Sequence, residues 1–396
     1  MADRVVTSEE ARTAPVDTDI PNAEEHDDEE MPRRPVTRRM ALLFGLFAVS
    51  AVCFLYFVLP QIAGLQDTWN RLDEGNPGWI AMCLVFELCS FAGYVWLFRT
   101  IFVRGGTRIN WRESYEITMA SLAATRLFAA AGAGGVALTA WALRRSGMER
   151  RIVACRMVAQ LAILYSVYMG ALIVFGLGLR AGILEGPAPF AVTVVPAIFG
   201  AVCFAVFLAI ALLPGDFDRR IGQASKRQGR LGRFAQRIAA APASVASGVR
   251  TAMRLIRERE VGLLGGVLWW GFDAATLWAA FHAFGEAPPW AVIVMAYFVG
   301  MIANALPIPG GIGGVEGGMI GAFVAFDVNT GLAVVSVLVY RAFAFWLPTI
   351  PGTVAYFQLR RTVQRWRESP RLERAPHDSR IDAVATIQSE VKTSSS

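Results

Sequence analysis

The sixteen residues from Ala303 to Gly318 read ANALPIPGGIGGVEGG and lie inside an otherwise apolar part of the chain. They include two prolines, six glycines and one carboxylic acid, Glu316. Pro307 and Pro309 lack the backbone N–H that a continuous helix needs, and the glycines permit backbone conformations closed to other residues. Irregular backbone survives in hydrocarbon only where protein buries it or where it lines a wet cavity. The stretch therefore predicts a broken helix pair inside a membrane protein, with Glu316 at the break.

The composition of the whole chain agrees with a membrane protein. Of 396 residues, 55% are hydrophobic and 18% are charged, and the mean hydropathy is +0.43. The charges fall in short runs between long apolar stretches, as in proteins that cross a bilayer several times. The net charge of +6 comes from arginine-rich segments beside the apolar runs, which favours an anionic cytoplasmic leaflet over nucleic acid as a partner. The cysteines and histidines show no metal-ligand spacing, so we expect no metal and no cofactor.

The apolar runs predict an all-α polytopic membrane protein with six full spans. Basic residues before the first run and after the last place both chain ends in the cytoplasm. We expect a disordered arm over 1–39, a transmembrane domain over 40–360 and a disordered tail over 361–396. The polar segment 214–260 has a net charge of +7 and predicts either interfacial amphipathic helices or a solvated basic linker on the cytoplasmic surface. The six predicted spans are 40–65, 78–98, 157–179, 191–213, 261–284 and 332–358.

Two further segments do not fit a simple crossing. Residues 113–143 lie between two arginine clusters that both belong in the cytoplasm, and about 31 residues are too few for two full spans. This conflict predicts a re-entrant pair of half-helices that turns at 129–135. Residues 290–306 and 315–327 flank the Pro/Gly break and are marginal or too short as spans. They predict a second re-entrant pair.

The two pairs align without gaps. GAGGVA at 132–137 matches GIGGVE at 311–316 in four of six positions. The order helix, pair, helix recurs in each half, and the charges give the first pair a cytoplasmic entrance and the second an outer one. This order predicts an inverted-topology repeat, in which substrate sites usually lie near the midplane between the halves. The halves differ chemically, because Ala137 stands where Glu316 stands.

Two motifs resemble those of a known family. The run LPIPGGIGGVE at 306–316 resembles the signature of the lysylphosphatidylglycerol-synthase transmembrane, or flippase-like, family. Tyr340-Arg341 followed by Trp346-Leu347-Pro348 resembles that family's next helix, and the resemblance extends over about 40–360. It implies a protein that moves a lipid, either an anionic or aminoacylated phospholipid or a polyprenyl-phosphate-linked sugar.

Charged side chains at membrane depth are the candidate site residues, because a charge near the bilayer centre needs a partner or water. Glu316 and Arg341 form the preferred pair, which either contributes to a substrate site or only holds the half-helices together. Arg126 is expected to neutralise a buried acid or to meet a lipid phosphate. His282, close to the outer boundary, is expected to be a packed interfacial histidine. The predicted substrate-binding residues are Glu316, Arg341, Asp273, Arg126, Glu87, Asn304, Gly311, Gly313 and Gly314.

The sequence leaves two functions open. The first is a flippase-like transporter in the plasma (inner) membrane of a bacterium. The second is a non-catalytic partner subunit of a lipid-modifying or lipid-sugar transferase, and homo-oligomers also remain open. The glycine run lacks the lysine of a nucleotide-binding loop, and the chain shows no nucleophile–base set. About 38 residues follow the last span, too few for a catalytic domain, so we expect no enzymatic activity.

Overall fold

The described part of the chain is entirely helical. The computed structural model describes residues 75–103, 107–127, 133–212, 245–305 and 311–368. No strand occurs within these ranges, and the predicted all-α class is confirmed. The predicted arm, the predicted span 40–65, and most of the basic insert and of the tail lie outside the described residues.

Within these ranges we number eleven α-helices in chain order. They are α1 (Pro77–Phe102), α2 (Trp111–Leu127), α3 (Ala133–Arg145), α4 (Arg150–Arg180), α5 (Phe190–Leu212), α6 (245–257), α7 (Leu264–Phe284), α8 (Trp290–Met301), α9 (Gly314–Ala325), α10 (Thr330–Arg341) and α11 (Thr349–Glu368). Short 3-10 segments precede α7 (Val261–Leu263) and follow α8 (Ile302–Ala305), and a π-helical turn (Ala342–Trp346) separates α10 from α11.

Among the described residues, four helical stretches are long and apolar enough to cross a membrane: α1, α4, the Phe190–Ile210 part of α5, and Thr330–Trp366 from α10 into α11. They coincide with the predicted runs that begin at 78, 157, 191 and 332. Helix α7 has 21 residues, about 32 Å at 1.5 Å per residue. It contains Asp273 and His282 within an otherwise apolar, tryptophan-containing sequence.

Helices α1 and α7 pack antiparallel along their whole length. At one end the N–H of Asn76 donates to the carbonyl of Ala283 at 2.9 Å, and at the other end Thr100 lies against Gly262. A Cβ atom added at Gly265 would lie 2.8 Å from a backbone nitrogen of α1, closer than any side chain tolerates. Glycine is therefore what lets the two backbones approach where they cross.

Two helical hairpins pack on this central pair. In the first, α2 and α3 are joined by a 2.7 Å hydrogen bond between Ser121 and Thr139, and α2 runs along α11. In the second, α8 and α9 meet at Gly300 and Met319, and α8 packs on α4 and α5. The residues that connect the two helices of each hairpin, 128–132 and 306–310, lie outside the described ranges.

The turn between α10 and α11 follows from Pro348. Proline has no N–H, so the carbonyl of Ala344, four residues earlier, loses its helical donor. The backbone widens into a π-helical turn in which the N–H of Leu347 bonds the carbonyl of Ala342 at 2.9 Å. The carbonyl of Ala344 is thereby available to a side chain from another helix.

Two segments of the structure differ from the prediction. Helix α6, the described part of the basic insert, buries Val249 and Leu255 against the bundle, with Gly248 directly against Val158 of α4. Its apolar face therefore contacts protein. Helix α11 continues to Glu368, so the first residues of the predicted disordered tail are helical.

Candidate functional site

Five charged side chains from five helices face one another inside the bundle. Glu87 on α1, Asp273 on α7, Glu316 on α9 and Arg341 on α10 have exposed fractions of 1%, 5%, 2% and 5%. Arg126, near the end of α2, is partly buried and interacts electrostatically with Glu87, Asp273 and Arg341. These are five of the residues that the sequence predicts for the site.

Glu316 and Arg341 form the ion pair that the sequence predicts. Arg341 Nε lies 2.7 Å from Glu316 Oε1, and the N–H of Gly313 donates to Glu316 Oε2 at 2.8 Å. Glu316 is the third residue of α9, where a carboxylate satisfies a free N–H and complements the positive end of the helix. Both carboxylate oxygens are thus engaged by protein groups.

Arg126 donates to two carbonyls of the π-helical turn, and one of them, that of Ala344, lacks its helical donor. Its Nη2 donates to the carbonyl of Ala344 at 2.7 Å and its Nη1 to that of Phe345 at 3.2 Å. The guanidinium carbons of Arg126 and Arg341 lie 5.5 Å and 4.4 Å from the centroid of the Phe345 ring. Both distances are within cation–π range, so the ring face stabilises two charges that repel each other.

Glu87 and Asp273 are close enough for their carboxyl groups to interact directly. The hydroxyls of Tyr297 on α8 and Tyr340 on α10 both donate to Asp273 Oδ2, the second at 3.1 Å. The hydroxyl of Thr276 lies 3.2 Å from Glu87 Oε2. The acid pair therefore sits in a shell of hydroxyl donors contributed by three helices.

The glycine-rich stretch leads into α9, the helix that carries Glu316. Gly311 and Gly313 have φ angles of +65° and +84°, in the left-handed region that favours glycine, and Gly314 begins α9. Asn304 is exposed, lies beside Gly311, and donates to the sulfur of Met301 at 3.0 Å. In the described contacts it does not join the charged cluster.

The aromatic residues near the end of α7 pack together, as the sequence predicts for His282. Its ring stacks on Trp79 with centroids 4.6 Å apart and meets Trp278 edge-on at 4.4 Å. Among the described residues no group of three or more His, Cys, Asp or Glu side chains could hold a metal ion.

Most of the chain matches the model of a known protein family. The model of the lysylphosphatidylglycerol synthase TM region matches residues 42–352, most of the chain. The chain belongs to this family. Family and apolar helices together make it a membrane protein, and the predicted family resemblance is confirmed.

Two relatives from Methanothermobacter thermautotrophicus, each named a UPF0104 membrane protein, are similar over shorter segments. One is 29% identical over 109 residues, 27% of this chain and 31% of the relative. The other is 32% identical over 89 residues, 22% of this chain and 27% of the relative. The matches thus span about a third or less of either relative. Both relatives are archaeal, and a bacterial origin stays a prediction.

Four residues of the site were not predicted from the sequence of this family member: Tyr297, Tyr340, Thr276 and Phe345. Tyr340 entered only as part of the family motif. Tyr297 lies in the continuous apolar run of α8, where a lone tyrosine reads as packing. Thr276 resembles any helical threonine, and Phe345 any lipid-facing aromatic. A signal did exist for the partner of Arg126, because Pro348 leaves the Ala344 carbonyl without its helical donor.

Proposed function

We propose that the protein translocates a lipid with an anionic or phosphate-containing head group through the interior of its helix bundle, and does not itself synthesise that lipid. The observation that carries the proposal is the cluster of Glu87, Asp273, Glu316, Arg126 and Arg341 inside an apolar bundle. Ionisable groups at such depth are unfavourable and usually mark the path of a polar substrate. Membership of a family named for lysylphosphatidylglycerol synthase supports a lipid as that substrate.

Arg126 is the group best suited to meet the head group. A guanidinium has five N–H donors, and Arg126 uses two of them on backbone carbonyls. It is also less buried than the other four charged residues. Its planar fork matches a phosphate, which lysine would bind only as a point charge. Arg126 can therefore hold its place on the π-helical turn and still contact an anion.

The proposal includes six full spans and two re-entrant hairpins related by an inverted repeat. Several distances along the chain support the repeat. Helices α2 and α8 begin at Trp111 and Trp290, 179 residues apart. The GAGGVA and GIGGVE motifs have the same offset. Helices α4 and α10 begin at Arg150 and Thr330, 180 residues apart.

The crossing of α1 and α7 supports the same symmetry. The hydroxyl of Ser90 donates to the carbonyl of Trp269 at 2.9 Å, and these residues are also 179 positions apart. Equivalent residues can touch only on the axis that relates the two halves, and antiparallel packing is what an axis in the membrane plane requires. Glu87 and Asp273 lie within one turn or so of this point on the same two helices.

The topology gives a testable expectation. In a variant without the five native cysteines, Ser146→Cys should be protected from a membrane-impermeant maleimide in intact cells, because the loop after α3 is cytoplasmic. Glu185→Cys, between α4 and α5, should be labelled. Permeabilised cells control for reactivity, and labelling of Ser146→Cys in intact cells would refute the first re-entrant hairpin together with the inverted repeat.

Transport is tested with the purified protein in phosphatidylcholine vesicles that contain a trace of fluorescent lipid. Dithionite reduction should report faster movement of NBD-phosphatidylglycerol, or of a fluorescent polyprenyl-phosphate sugar, than in protein-free vesicles. Arg126→Gln should lose most of this gain, while Arg180→Gln, a matched change at an exposed end of α4, should retain it.

A rate equal to that of protein-free vesicles for both probes would contradict the proposal. The remaining interpretation would then be a partner subunit of a lipid-modifying enzyme. Equal unfolding temperatures for Arg126→Gln and Arg180→Gln are needed to assign the lost activity to the site rather than to folding.

A further inference from the structure

The charges of the five-residue cluster do not balance if every group in it is ionised. Glu87, Asp273 and Glu316 would give three negative charges, against two positive charges from Arg126 and Arg341. Glu316 is matched to Arg341 by their 2.7 Å ion pair. Glu87 and Asp273 are left with one guanidinium between them, that of Arg126. A single proton on this acid pair would make the cluster neutral.

The geometry of the pair also calls for one proton. Both acids are buried, and the Thr276 hydroxyl that lies 3.2 Å from Glu87 is one helical turn from Asp273, so the two carboxyls are neighbours. Two carboxylates are acceptors only, so neighbouring carboxyls can hydrogen-bond only when one of them holds a proton. Two negative carboxylates in contact in a low-dielectric interior repel strongly, and such pairs hold one proton between them.

The neighbouring hydroxyl groups indicate which of the two acids carries the proton. Tyr297 and Tyr340 both donate to Asp273 Oδ2, which suits an ionised acceptor and leaves Oδ1 for Glu87. Glu87 has one nearby hydroxyl donor, that of Thr276. Asp273 is therefore the anion and Glu87 the donor.

Side chains from the neighbouring helices surround Glu87 and Asp273. Their charges influence whether the acid pair holds a proton. The titratable and charged groups that interact with it are Cys83 on α1, Arg126 on α2, Tyr297 on α8 and Tyr340 on α10. Arg341 on α10 in turn acts on Arg126 and Tyr340. Of the two arginines in the described cluster, Arg341 is paired with the carboxylate of Glu316, whereas Arg126 has no such ion pair of its own. A change at Arg126 thus acts directly on the charge balance of the pair.

We propose that Glu87 and Asp273 form an exchangeable proton site and that an anionic lipid moves together with a proton bound there. This inference rests on the proposed function. When the head-group anion contacts Arg126, it takes over the charge that balances Asp273. Asp273 then takes up a proton from water on the side from which the lipid enters. The proton returns to water on the other side when the lipid leaves Arg126, so lipid anion and proton cross as a neutral unit.

The proton site is tested without transport by infrared spectroscopy of the purified protein in phosphatidylcholine nanodiscs, which offer Arg126 no anionic lipid. We expect a protonated-carboxyl band at neutral pH that shifts in D₂O and is lost in Glu87→Gln. Glutamine can still donate to Asp273, so this variant should fold. Glu185→Gln, the same change at an exposed position, should retain the band. Absence of the band from the parent protein, or its persistence in Glu87→Gln, would overturn the proton site.

Coupling is tested by imposing a pH difference across vesicles that contain the protein and NBD-phosphatidylglycerol. Cotransport with one proton biases the final distribution of this lipid between the leaflets by up to about tenfold per pH unit. We expect that bias in the parent protein, none in Asp273→Asn, and none from an equal sodium gradient.

The outcomes separate the two proposals. If the protein moves the lipid but the pH difference does not change the distribution between the leaflets, the coupling is refuted and the proposed function is retained. A bias set by sodium would replace the proton with a metal cation. A carboxyl band without lipid movement would overturn the proposed function and the coupling, and would leave the acid pair as a structural element.

Discussion

Glu316→Gln should lower the stability of the protein by about 3–5 kcal/mol, the usual effect of removing one partner from a buried ion pair. Arg341 is 5% exposed, and its Nε lies 2.7 Å from Glu316 Oε1. Glutamine keeps the shape and can still accept from the N–H of Gly313, but it cannot balance the guanidinium. The measurement is the thermal unfolding midpoint in detergent, followed by tryptophan fluorescence.

The double variant Glu316→Gln/Arg341→Met separates charge from shape. Because it removes both buried charges, it should recover most of the lost stability. An unchanged midpoint for Glu316→Gln alone would contradict the buried pair. Glu185→Gln is the matched control and should leave the midpoint unchanged, since Glu185 is exposed.

Activity in the same three variants decides what the pair does. If the double variant recovers both stability and lipid movement, Glu316 and Arg341 only hold α9 against α10. If it recovers stability alone, the pair belongs to the transport path. The contacts of both carboxylate oxygens with protein groups favour the structural role.

The sequence predicted the helices well because their signals are local. The Pro/Gly stretch ends one helix and begins another, and the structure has α8 giving way to a 3-10 segment at Ile302 and α9 beginning at Gly314. Apolar length predicted α1, α4 and α5 for the same reason. The end of α11 was missed because its last turns are amphipathic and read as a polar tail.

The candidate site was predicted residue by residue but only partly as an assembly. Each buried charge stands out in an apolar run, which is why Glu87, Asp273 and Glu316 could be named. The contact between Glu87 and Asp273 joins positions far apart in the chain and exists only because glycines let α1 and α7 approach closely. No local pattern encodes it, and the hydroxyls of Tyr297 and Tyr340 become donors only in that packing.

Gly300→Ala should also have a large effect, because it separates the two helices that flank the Pro/Gly break. A Cβ atom at Gly300 would lie 2.8 Å from the backbone nitrogen of Met319 on α9, which cannot move like the end of a flexible side chain. Overpacking of this kind typically lowers stability by about 1–3 kcal/mol. Gly317→Ala is the matched control, because a Cβ atom there would meet nothing within 4 Å.

Separating α8 from α9 should also displace residues of the charged cluster on each of these two helices. Tyr297, which donates to Asp273, lies one turn before Gly300 on α8, and Glu316 lies one turn before Met319 on α9. Gly300→Ala should therefore unfold at a lower temperature than the parent and move NBD-phosphatidylglycerol more slowly. Gly317→Ala should match the parent or gain up to about 1 kcal/mol from the better helix former. Equal midpoints for the two variants would show that α8 and α9 are not in close contact at Gly300, and the positions of Tyr297 and Glu316 within the charged cluster would lose their basis.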